Sequence, residues 1–166
     1  MSNTAYLLLG SNRGNRLFMI SKALVEINKR IGVIIKRSSL YETEPWGFED
    51  ETFFVNFLIA VSTELDPEIL LKEIKEIETI LGRFQNAEQN ESRNIDIDII
   101  FYNNNIFNNE ILKIPHPLIT QRRFVLTPLN EIIPNFVHPI EKKTIFQLLS
   151  ECKDNRKVRR FNFVNR

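Results

Sequence analysis

Apolar residues along the chain alternate between two periods. Ala5 to Leu9 is a short continuous apolar run that stops at Gly10-Ser11-Asn12, a strand ending in a turn. Asn15 can cap a helix in which Ile20, Leu24, Ile27 and Ile31 fall at i, i+4, i+7 and i+11, with Gly32 as the stop. Val33 to Tyr41 and Phe53 to Thr63 read as strands, the second longer than the first. Asp66-Pro67 predicts another helix start, with the carboxylate as cap acceptor and proline in the first turn. Leu70, Ile74, Ile77 and Leu81 form its buried stripe, and Gly82 allows a left-handed end at little cost. Ile95 to Tyr102 is a strand and Ile106 to Ile114 its hairpin partner, turned at Asn103-Asn104-Asn105 because Asn tolerates positive φ. Shorter helical pieces follow around Arg122 to Asn130 and Thr144 to Cys152.

The resulting order, β-α-β-β-α-β-β with helical additions, predicts an α+β fold. Its βαββαβ core implies a ferredoxin-like α/β sandwich, a mostly antiparallel sheet with helices packed on it. Many activities share that topology, so the fold alone names none.

Composition narrows the class. With 166 residues, 43% apolar and 26% charged, residues 1–166 read as a single globular domain. A chain of this length buries about two-thirds of its unfolded surface without staples. Lys plus Arg number 22 against 21 Asp plus Glu, a net charge of +1, which argues against a nucleic-acid or acidic-membrane partner. One cysteine, Cys152, rules out an intrachain disulfide and a thiolate metal cage. The apolar run at Ala5 to Leu9 is too short for a signal-peptide core, and Phe57 to Val61 falls far below the ~20 residues of a membrane span. The expectation is a cytoplasmic protein. Charge is unevenly placed: Glu42, Glu44, Glu49, Asp50 and Glu51 form an acidic stretch, while Lys153, Arg156, Lys157, Arg159, Arg160 and Arg166 accompany only Asp154 in a tail that reads as a solvated end.

The segment Arg93-Asn94-Ile95-Asp96-Ile97-Asp98-Ile99 carries the most chemistry. In a strand Asp96 and Asp98 share one face, about 6.8 Å apart at ~3.4 Å per residue, while Ile95, Ile97 and Ile99 face the core. Such a carboxylate pair suits Mg²⁺ held together with phosphates, although alone it fits better the polar face of a half-exposed strand, which needs no metal. Arg83 and Arg93 lie at the two ends of a polar segment, Phe84 to Ser92, and guanidinium groups beside a metal site neutralise a polyphosphate. Glu78 lies one helical turn before Gly82-Arg83. In Pro115-His116-Pro117 the prolines hold His116 in a rigid extended backbone, with Arg122 and Phe124 close behind, whereas His138 reads as a turn residue. Phe54 and Asn56 share a strand face after the segment Thr43-Glu44-Pro45-Trp46-Gly47, and a ring with a carboxamide can stack on and pair with a flat heterocycle. A ferredoxin-like RNA-binding module is a rival reading, but it needs basic and aromatic strand faces where this chain has Asp96 and Asp98. An Asp-x-Asp nucleotidyltransferase is the nearer rival, and it has no need of the Phe54, Asn56 and Phe124 set.

Taken in order, these pieces resemble the 6-hydroxymethyl-7,8-dihydropterin pyrophosphokinases of folate biosynthesis. The likeness runs from Gly10-Ser11-Asn12 through Tyr41 to Gly47, Phe54-Val55-Asn56, Glu78 with Gly82-Arg83, Arg93 to Ile99 and Pro115-His116-Pro117 to Arg122 and Phe124. The resemblance implies transfer of pyrophosphate from ATP to the pterin hydroxymethyl group with release of AMP. It implies two Mg²⁺ ions on Asp96 and Asp98, catalytic roles for Arg83 and Arg93, and ATP contacts from Glu78, Arg83, Arg93, Ile99, His116 and Arg122. It implies a pterin sandwiched between Phe54 and Phe124 and read by Asn56 with main-chain groups of Thr43, Glu44 and Trp46. The implied partners are these two small molecules and no nucleic acid or membrane, with the chain a monomer. Two departures stand out: Phe84 to Ser92 carries no positive charge where relatives have basic or aromatic residues, and no second synthase domain is expected.

Overall fold

The structure is a computed structural model that describes residues 2–44, 53–82 and 95–161. In chain order its elements are β1 (Asn3–Ser11), α1 (Arg16–Arg30), β2 (Gly32–Arg37), β3 (Tyr41–Thr43), β4 (Phe54–Thr63), α2 (Pro67–Ile80), β5 (Asp96–Tyr102), β6 (Phe107–Asn108), β7 (Lys113–Ile114), α3 (Arg123–Ile132), α4 (Ile145–Glu151) and β8 (Val158–Arg160). The antiparallel sheet runs β5-β1-β4-β3-β8, and β2 also pairs with β4. β2 lies against the far half of β4 and β3 against its near half, so together they act as one interrupted strand. Ser38 bridges the interruption, donating its N–H to the Leu58 carbonyl and accepting the Leu58 N–H on its hydroxyl. With that pair counted as one strand, the arrangement is ferredoxin-like.

Local signals in the chain place the helices. The Asn15 side chain accepts the Phe18 N–H and starts α1, whose buried face is Ile20, Ala23 and Ile27. Asp66 and Pro67 open α2, although the Asp66 carboxylate makes no cap hydrogen bond. Gly82 sits at φ +94° just beyond α2, the left-handed geometry predicted for it. Gly32 begins β2 for a different reason: a Cβ there would meet the Ser62 carbonyl oxygen at 2.0 Å.

Both faces of the sheet are covered. On one, Leu7, Leu9, Val55, Ile59, Ile97 and Ile99 pack with α1 and α2; on the other, Leu8, Leu58, Ile100 and Phe101 pack with α3 and α4. Each fully buried Leu or Ile contributes about 1.5–3 kcal/mol. Two expectations need correction. Ile106 to Ile114 is not a partner of β5, because β6 and β7 pair with each other in a separate ribbon. The basic tail is not merely solvated, because β8 pairs with β3 and Arg159 binds Glu42.

Candidate active site

Strand register assembles the centre of the site. Gly10 of β1 lies between Asn56 of β4 and Asp96 of β5, and Leu8 lies between Leu58 and Asp98. Residues opposed across a ladder project from the same face. Asp96, Asp98 and Asn56 therefore point to the face on which Leu8 and Leu58 meet α3 and α4. One strand further on, Tyr41 opposes Asn56 and Thr43 opposes Phe54. Asn56 is 3% exposed and donates from Nδ2 to Thr43 Oγ1 at 2.6 Å. The absence of a side chain at position 10 is what admits this carboxamide, since a Cβ there would stand 2.9 Å from Asn56 Oδ1 and 3.5 Å from Phe54 Cδ1. Gly10 is thus an in-strand residue and not the turn expected from Gly10-Ser11-Asn12.

The segment after β7 joins the site beside β5. The His116 N–H donates to the Ile100 carbonyl, which ties His116 to β5 two residues beyond Asp98. His116 Nδ1 accepts the Leu118 N–H at 3.2 Å, which assigns the ring proton to Nε2. Burial, reinforced by the Arg122 charge and opposed by Asp96, pushes the His116 pKa down to about 4, so the ring is a neutral donor. Burial also lowers the Arg122 pKa, while Asp98 and Asp96 pull it back up. Arg122 stands in the field of both carboxylates, and its guanidinium carbon lies 5.7 Å from the Phe124 ring centroid.

On the other side of β5, Ile99 is 7% exposed in the core with α2. Glu78 of α2 is buried at 1% exposure, with Lys75 Nζ 3.5 Å from Oε1. A lone helix carboxylate is ordinarily solvated, and this one is not. Glu44 follows β3 and is half-buried. Trp46, Arg83, Arg93 and the Phe84 to Ser92 segment lie outside the described residues.

Some supporting residues escaped the sequence reading. Glu42 is buried on β3, where Arg16 binds one carboxylate oxygen at 3.2 Å and Arg159 the other at 2.9 Å. Those two charges hold the Glu42 carboxyl below its usual range against the opposing effect of burial, the largest single influence. Arg16 also donates to the Phe53 carbonyl, next to Phe54. The only local hint of this was an acidic residue standing before Thr43.

Asp96 and Asp98 are half-buried oxygen donors on one face. Among the described residues no group of three or more His, Cys, Asp or Glu gathers to hold a metal. A cation here would complete its shell with water and phosphate oxygens, which is the habit of Mg²⁺, and the donor set fits it.

Comparison with known proteins identifies relatives of the chain. The family model of 7,8-dihydro-6-hydroxymethylpterin-pyrophosphokinase matches residues 6–134. A 2-amino-4-hydroxy-6-hydroxymethyldihydropteridine pyrophosphokinase of Aquifex aeolicus is 40% identical over 148 residues, 89% of this chain and 91% of that protein. One of Bacillus subtilis is 39% identical over 133 residues, 80% of this chain and 79% of that protein. Among solved structures, a Plasmodium falciparum HPPK-DHPS superposes over 90% of this chain with a TM-score of 0.75 at 22% identity, a likeness of fold. This chain spans 43% of the length of that protein. With the fold, the carboxylate strand and the relatives in agreement, the chain belongs to the 7,8-dihydro-6-hydroxymethylpterin-pyrophosphokinase family.

Proposed function

We propose that Asp96 and Asp98 hold Mg²⁺, two ions in this reading, against the phosphates of ATP, while Asn56, Thr43 and Phe54 form the pterin half of the same site. The reaction is that of the family: the chain is an ATP-dependent pyrophosphokinase of folate biosynthesis that transfers pyrophosphate to the hydroxymethyl group of 6-hydroxymethyl-7,8-dihydropterin. The observation that carries the arrangement is the row Asp96–Gly10–Asn56. Adjacent strands lie about 4.8 Å apart, so the carboxylate and carboxamide rise from the sheet about 10 Å from each other, with only Gly10 between. A pterin ring paired with Asn56 can thereby direct its hydroxymethyl group toward phosphates held at Asp96 and Asp98.

In this reading the hydroxymethyl oxygen attacks the β-phosphorus of ATP. The bond from that phosphorus to the oxygen bridging to the α-phosphate breaks, AMP leaves with that oxygen, and the hydroxyl proton passes to water. Bound Mg²⁺ supplies charge neutralisation on the phosphate oxygens. His116 offers its Nε2 proton and Arg122 its guanidinium to the phosphates, and Arg83 and Arg93 neutralise charge as AMP departs. Glu78 and Ile99 serve the nucleotide end, which reaches them around β5, the outer strand of the sheet among the described residues. Phe124 stacks on the pterin opposite Phe54, and main-chain groups of Thr43, Glu44 and Trp46 read its edge. Residues 1–166 act as one domain, a cytoplasmic monomer with two small-molecule substrates and no nucleic-acid or membrane partner. The near-neutral charge supports the absence of a nucleic-acid partner, and no helix among the described residues is long and apolar enough to cross a membrane. Incubating the protein with ATP, Mg²⁺ and 6-hydroxymethyl-7,8-dihydropterin is expected to yield AMP. ADP as the nucleotide product, or no turnover, overturns the reading.

A further inference from the structure

The first turn of α3 is held by residues far away in sequence. Arg122 is its N-cap and makes no side-chain cap bond. The cap acceptor comes instead from the segment after α4, where Asp154 Oδ2 accepts the Arg123 N–H at 3.1 Å. In return the Arg123 guanidinium grips that segment, donating from Nε to the Asp154 carbonyl at 2.6 Å and from Nη2 to the Cys152 carbonyl at 3.0 Å. The Asp154 side chain is 4% exposed, and its second oxygen accepts both the Arg156 N–H and the Arg156 guanidinium at 3.2 Å. Each hydrogen bond here has a charged partner, the stronger kind.

The position of this clamp gives it a consequence beyond stability. Arg123 stands between Arg122, which faces Asp96 and Asp98, and Phe124, whose ring lies beneath the Arg122 guanidinium. We infer that Arg123 and Asp154 are positioning residues: their clamp sets the start of α3 and thereby holds Arg122 for the nucleotide and Phe124 for the pterin. The inference rests on the roles proposed above for Arg122 and Phe124. Asp154 lies beyond residue 134, where the family match ends, so the segment after that point serves the site as well as the fold.

The test measures equilibrium binding with two probes, Mg²⁺ with α,β-methylene-ATP, and pterin in the presence of saturating analogue. Arg123→Ala and Asp154→Ala are each expected to weaken both ligands about tenfold, since binding groups must be held within about 0.5 Å of their working positions. Asp154→Asn keeps an acceptor for the Arg123 N–H and should restore both affinities. Arg122→Ala should weaken the nucleotide alone, and Phe124→Ala the pterin alone. A merely stabilising clamp would lower the melting temperature and leave both dissociation constants unmoved in the folded protein. That outcome, seen while Arg122→Ala and Phe124→Ala lose their ligands, overturns the inference. Normal binding in both of those variants instead overturns the reading of the site, and the inference with it. Should either alanine variant of the clamp fail to fold, Arg123→Lys decides: it keeps the charge but loses the planar fork, and an intermediate loss for both ligands is the supporting result.

Discussion

Gly10→Ala separates the fold from the site at one atom. The added methyl would lie 2.9 Å from Asn56 Oδ1, and an ordinary contact begins at 3.4 Å, so the carboxamide must retreat by about 0.5 Å. The fold can accommodate this, because the obstructing atom is the end of a side chain and Gly10 does not have a positive φ. Restricting the unfolded chain returns about 0.4–1 kcal/mol, which offsets much of the cost of moving Asn56. Net stability should therefore change by less than about 1 kcal/mol. Binding has no such compensation. The carboxamide can retreat and still keep its 2.6 Å bond to Thr43 at a longer distance, but a binding group must stay within about 0.5 Å of its working position. One misaligned buried hydrogen bond costs about 1–3 kcal/mol, a loss of roughly 5- to 150-fold in pterin affinity. Calorimetric titration of pterin and of the ATP analogue, paired with a urea melt, is the assay. The expected pattern is a near-normal melt, near-normal nucleotide affinity and strongly weakened pterin. Unchanged pterin affinity in the folded variant would show that Asn56 does not read the ring.

Gly32→Ala should behave oppositely: its methyl meets the Ser62 backbone carbonyl of β4 at 2.0 Å, which pairing with β1 holds in place, so a thermal melt should show a loss of about 3 kcal/mol. Asp96→Asn and Asp98→Asn should each abolish most AMP formation and weaken the ATP analogue only when Mg²⁺ is present; rates near wild type in both would make the carboxylates ordinary surface groups. His116 has a folded pKa near 4 against about 6.5 unfolded, so its contribution to stability is complete above pH 6.5 and is lost as pH falls toward 4. Urea melts without Mg²⁺ or nucleotide should show about 2 kcal/mol of this loss between pH 7 and pH 5. His138, also lowered by burial, adds in the same direction, so His116→Asn should reduce the slope without abolishing it, and an identical slope in that variant would refute the assignment.

Much of this molecule was legible before any tertiary contact was known. The Asn15 cap, the left-handed Gly82 and the alternation of Asp96 and Asp98 with Ile95, Ile97 and Ile99 follow from preferences that act within a few residues. The motif order from Gly10 to Phe124 was likewise enough to indicate the family. What local pattern could not supply was register and distance. That Gly10 stands between Asn56 and Asp96 depends on how β1 aligns with two strands far away in the chain, and a shift of one residue would turn Asn56 to the other face. Glu42 read as one acidic residue among several until β8 brought Arg159 against it, and Asp154 read as part of a solvated tail until the return of the chain past α4 set it at the start of α3. The periods that mark strands and helices act between near neighbours and are written in the sequence itself. Ion pairs and caps between residues 31 or 117 positions apart come into being only when the packed sheet and helices bring them within reach.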